Sequence, residues 1–289
     1  MSAAAATVPL NGTWQLWRSQ MAAIVWMELK KNFITKRGFW IYLLAAAPAV
    51  LVWLHTVVVI QRPDELRHDL SKDTTMLAVL FNVFLLRPAL YFGCVGIFTY
   101  LFRGEVVERS LHYYFLAPVK REVLVLSKYL AGAITAITFF GLSTFMTFWG
   151  MYGHYPSYEL NEFMTGGPGL SHLAAYMSIT VLACIAWGAV CLWMGIRWRN
   201  PIVPSVTFLT WESINLFLPS WLRPFSVLHY LQSMTPVQGD LRGPGLILGQ
   251  TADPVPGWLA VLCLLGITAG MLFLSARQLS RTEISYSSD

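Results

Sequence analysis

Charge is scarce in this sequence. Asp, Glu, Lys and Arg make up 12% of its 289 residues, where a soluble domain carries about 25%. That shortage excludes a water-facing surface over most of the chain. Cysteine is scarce too. The four present, Cys94, Cys184, Cys191 and Cys263, all lie inside apolar stretches at spacings that match no metal motif. They read as small apolar packing residues. The six histidines, His55, His68, His112, His154, His172 and His229, are scattered and form no H-E-x-x-H pair. No G-x-x-x-x-G-K-[ST] loop occurs, so the chain cannot bind ATP in the usual way. No serine-nucleophile motif occurs either. An intramembrane enzyme needs convergent acids, bases or metal ligands, and none is evident in the pattern.

What is present is apolar length. Hydrophobic residues reach 56% and the mean hydropathy is +0.54. Several apolar stretches run to about 20 residues, enough to cross a hydrocarbon core of roughly 30 Å. The expected fold is an all-α integral membrane protein with six transmembrane helices: Phe39 to Ile60, Leu77 to Phe102, Val123 to Met151, His172 to Ile196, Pro201 to Leu218 and Pro256 to Leu274. No soluble domain of useful size remains, so residues 1–289 form a single transmembrane domain.

Basic residues orient it. With the N- and C-termini in the cytoplasm, fourteen of the 20 Lys and Arg residues fall on the inner side and six on the outer side or in outer halves of spans. The net charge of +5 follows from that bias and calls for no nucleic acid partner. The bilayer, with its anionic lipid, is partner enough. A cleavable signal peptide is not expected. The first ten residues lack a basic start, and the first span is too long for a signal core.

The stretch between the second and third spans, RGEVVERSLHYYFLAPVKRE, is too polar to cross a bilayer. Glu105, Glu108, Arg109 and His112 fall at i, i+3, i+4 and i+7, one face of a helix. Val107, Leu111, Tyr114 and Phe115 fall on another face. Pro118 ends the pattern. An amphipathic helix over 103–118 at the cytoplasmic surface is expected, with a mixed-charge face that suits a protein partner better than lipid. A second interfacial helix is expected over 13–37. There Trp14, Trp17, Met21, Ile24 and Val25 recur at helical spacing, and Trp14, Trp17, Lys30 and Lys31 serve as interfacial anchors.

This layout resembles the permease subunit of a type-2 class ATP-binding-cassette (ABC) exporter. The resemblance is concentrated in Glu108-Arg109-Ser110-Leu111, in Leu116-Ala117-Pro118-Val119-Lys120 and in Lys128-Tyr129-Leu130. It implies that 103–118 is the coupling helix, with Glu105, Glu108, Arg109, His112 and Tyr113 docking on a separate ABC ATPase subunit. It implies that 13–37 is the connecting helix and that 219–256 forms re-entrant pieces capping the pathway outside. It also implies a second permease copy, as homodimer or heterodimer, in a bacterial-style inner membrane. ATP and Mg would be bound by the partner, and this chain would hold no cofactor.

Two ionisable residues sit inside apolar spans, where charge is costly and functional by default. Arg87 lies roughly 22 Å above the inner end of its span, and Glu212 lies roughly 17 Å above the start of its own. The similar levels make them pathway or gating candidates that could pair within a protomer or across a dimer. The competing expectation is that the second span starts near Arg87, with the arginine reaching outward. Two other functions are compatible with the chain. One is the membrane subunit of a redox complex, with His55 and His172 as haem ligands. The other is a structural membrane subunit without transport.

Overall fold

Inside a bilayer no water satisfies backbone N–H and C=O groups, so each long apolar run must close its own hydrogen bonds as a helix. The computed structural model describes residues 10–34, 39–61, 69–107, 116, 119–214, 221–237 and 255–281, and these contain no strand. Helix α1 spans Leu10–Ile34 and α2 spans Phe39–Gln61. Helix α3 spans Leu70–Val107, and α4 spans Arg121–Tyr152. The short α5, Ser157–Asn161, leads into α6, Gly169–Arg197. Then come α7, Ile202–Ile214, α8, Val227–Ser233, and α9, Gly257–Arg281.

Five of these helices, α2, α3, α4, α6 and α9, are long and apolar enough to cross a membrane. The chain is an all-α, multi-pass membrane protein. The expected fifth span, Pro201 to Leu218, is different. Its described part, α7, covers 13 residues, fewer than the about 20 that a crossing needs. The rest of that span, 215–218, lies outside the described residues.

Helix α3 also departs from expectation. It runs 38 residues without a break and passes straight through Arg87, so the helix begins well before that residue. Its turns widen over Phe81–Leu90, around Pro88. Proline lacks the N–H that would complete the helical ladder, and a wider turn absorbs the lost rung.

Helix α6 is the most enclosed of the five, packed by α3, α4 and α9, while α2 and α9 are the most exposed. Small residues set the closest approaches, as is usual between helices in lipid. A Cβ on Gly195 of α6 would stand 2.8 Å from Thr99 Cα and 2.9 Å from Thr99 O. Gly132 and Gly188 admit the ring of Phe98 from α4 and α6.

Helix α4 is the spine on which α1 and α2 lie one after the other. Lys120, at its start, sits 4.3 Å over the Trp17 ring. Asn32 Nδ2 donates to Thr135 Oγ1 at 3.2 Å, and Phe33 meets Phe139 at 4.9 Å. Further along, Trp53 Nε1 donates to Met146 O at 3.2 Å and Thr56 Oγ1 to Gly150 O at 2.6 Å. At 32 residues α4 is about 48 Å long, more than a hydrocarbon core requires. Its first turns extend to the end of the bundle where Lys120, Arg121, Arg197 and Arg281 collect. We call this the basic end. There Arg121 Nη1 donates to Leu279 O and Ser280 O, each at 2.8 Å, and so closes the last turn of α9.

Candidate functional site

At the basic end, three helices meet on one ammonium group. Lys128 of α4 is fully buried, with Nζ 2.6 Å from Glu28 Oε1 of α1 and 2.7 Å from Glu105 Oε1 of α3. It also donates to Leu101 O at 3.0 Å. The partly exposed Lys31 stands 3.4 Å from Glu105 and 3.7 Å from Glu28. Two acids and two lysines balance in charge, and Lys128 is hydrogen-bonded on three sides, which is what makes a buried ion cluster tolerable.

This geometry revises the expectation for Glu105. Its register places it on an outward polar face. The structure buries it at 4% exposure because Lys128 draws it inward. Glu108, Arg109, His112 and Tyr113 lie outside the described residues. On either side of 108–115, Val107 is 69% exposed and Leu116 80% exposed.

The expected anchors of α1 divide. Trp14 is exposed, Trp17 is half-buried under Lys120, and Lys30 lies 5.8 Å from the Trp26 ring centroid. Lys31 belongs to the ion cluster. Ile24 and Glu28 form the buried stripe of this helix.

Glu28 and Lys128 are the residues that sequence reasoning missed. A signal existed. Lys128 interrupts an apolar run, and an ion inside a span implies a partner.

In mid-bundle, Arg87 and Glu212 are both buried, at 6% and 0% exposure. They do not pair within the chain. The Glu212 carboxylate turns instead to the start of α8. Oε2 accepts from Ser226 Oγ at 2.6 Å and from Leu228 N at 2.8 Å, and Oε1 accepts from Val227 N at 3.0 Å. Ser226 Oγ in turn accepts from His229 N at 3.2 Å. A carboxylate is favoured against the unsatisfied N–H groups of a helix start, and it fastens α8 to α7. Among the described residues, Arg87 Nε and Nη2 meet no acceptor.

At the end opposite the basic one, Asp73 of α3 is buried and joins the turn after α4. Its Oδ2 accepts from Tyr155 Oη at 2.8 Å and lies 3.1 Å from His154 Nε2. Burial, and then the bond to Asp73, push the Tyr155 phenol above its ordinary range.

Residues 24–218, about two-thirds of the chain, match the profile of the family described as ABC-2 family transporter protein. The chain belongs to the ABC-2 transporter family. No curated protein matches it. The ABC-2 match takes in the ion cluster, the segment 103–118, Arg87 and Glu212. It identifies the chain as a membrane component of a transporter, with no catalytic role of its own.

Proposed function

We propose that this ABC-2 protein is the permease subunit of an ATP-driven exporter, that two permease copies form the pathway, and that 103–118 docks on a separate ATPase subunit at the cytoplasmic face. The observation that carries this reading is the family match across 24–218. Two structural features support it. The segment begins within the last turns of α3, and Glu105 there is held to α1 and α4 by the buried cluster. Its described flanks, Val107 and Leu116, expose apolar side chains at the basic end, where a protein partner would cover them.

In this mechanism ATP binding closes the partner ATPase, which pushes on 103–118. The ion cluster makes the end of α3, the start of α4 and the last turns of α1 move as one body, so the push becomes rigid rocking of the bundle. The ATP and Mg reside on the partner.

The test is a mild-detergent pull-down of tagged protein from its native membrane, with ATP hydrolysis measured on the captured complex. An ATPase subunit is expected to co-purify, and Glu108→Lys should release it or abolish coupled hydrolysis. A preparation that retains other membrane complexes but carries no ATPase would contradict the proposal.

A further inference from the structure

Among the described residues, two lysine or arginine side chains are buried, Lys128 and Arg87. Lys128 lies between two carboxylates. Arg87 has none: it is 6% exposed, and its Nε and Nη2 meet no acceptor. A guanidinium cannot shed its charge, and a buried charge without a counter-ion is costly.

Among the described residues, no buried acid is left to serve as that counter-ion. The buried acids of the described residues are Glu28, Asp73, Glu105 and Glu212. Glu28 and Glu105 hold Lys128. Asp73 holds Tyr155 and His154. Glu212 is spent on the start of α8. In a second copy the same four acids are engaged in the same way. Around Arg87 the helix widens over Phe81–Leu90, a distortion that recurs at functional sites. Its buried neighbours in that stretch, Phe81, Leu85, Leu86, Ala89 and Leu90, are apolar, with Asn82 the polar exception.

We propose that Arg87 holds the anionic group of the transported molecule, a carboxylate or phosphate borne on an apolar body. This rests on the permease reading. The planar guanidinium offers parallel N–H groups that match the two oxygens of such a group. The apolar surroundings suit a hydrocarbon tail better than a fully hydrated free ion.

The test uses the full chain in nanodiscs of neutral phosphatidylcholine and measures equilibrium binding of dodecyl phosphate, dodecanol and inorganic phosphate. Wild type should bind dodecyl phosphate at least about tenfold more tightly than dodecanol, with no matching competition from inorganic phosphate. Arg87→Gln should abolish that preference. Arg87→Lys should retain an intermediate one, because an ammonium lacks the fork. The melting temperature of Arg87→Gln should stay equal or rise, since the change removes an unpaired buried charge. Equal binding of dodecyl phosphate by wild type and Arg87→Gln would overturn the proposal. So would competition by inorganic phosphate as strong as that by dodecyl phosphate. Destabilisation or misfolding of both Arg87→Gln and Arg87→Met would also overturn it, by revealing an internal partner. No ATPase enters this assay, so its failure and the failure of the pull-down are separate results.

Discussion

An ammonium group buried at the meeting point of three helices has a predictable weight. Lys128→Met leaves Glu28 and Glu105 with only the partly exposed Lys31 beside them, and removing one partner of a buried ion cluster costs about 3–5 kcal/mol. A clear fall in melting temperature in detergent is expected. Lys31→Ala, at a position that is 46% exposed on its side chain, should change stability by less than about 1 kcal/mol. Adding Glu28→Gln and Glu105→Gln to Lys128→Met should recover most of the loss. An unchanged melting temperature for Lys128→Met would rule out the cluster as a structural joint. Arg87 and Glu212 were legible as charges inside apolar runs. Their partners were not. The contacts of Glu212 begin fourteen residues further on, at Ser226, in a Pro- and Gly-rich segment with no periodic signal. The register that put Glu105 outward was defeated by a lysine on another helix, which one-dimensional periodicity cannot see.

Among the elements, the five long helices follow from the length of their apolar runs, because a span must satisfy its backbone internally. The enclosure of α6 and the lengthwise packing of α1 on α4 do not follow from run length. They depend on which faces meet. Glycine contacts expose those faces to experiment. Gly195 lets α6 reach the backbone of α3 at Thr99, and backbone cannot step aside for a Cβ at 2.8 Å. Gly195→Leu should separate the two helices and yield protein that melts early or fails to leave the detergent column as a single species. Gly270 on α9 has open space around its Cβ position, so Gly270→Ala should be neutral or stabilising by up to about 1 kcal/mol. Equal behaviour of the two variants in size-exclusion and melting would contradict the assigned packing.

As a whole, the molecule is a helical membrane bundle of the ABC-2 family with one charged, cross-braced end. On the proposed reading that end receives force from an ATPase, and the bundle passes it to Arg87 and to α8, which Glu212 fastens to α7. The docking surface on this reading is 103–118, whose described residues Val107 and Leu116 are exposed. The most direct measurement is photocrosslinking in native membranes, with a reactive amino acid placed at His112 and, as a lipid-facing control, at Leu262, which is 58% exposed on α9. An adduct between His112 and an ATPase polypeptide, identified by mass spectrometry, is expected, with only lipid adducts from Leu262. Probes at Glu108, Arg109, His112 and Tyr113 that yield no ATPase adduct, while the ATPase still co-purifies, would place the docking surface elsewhere and contradict this reading.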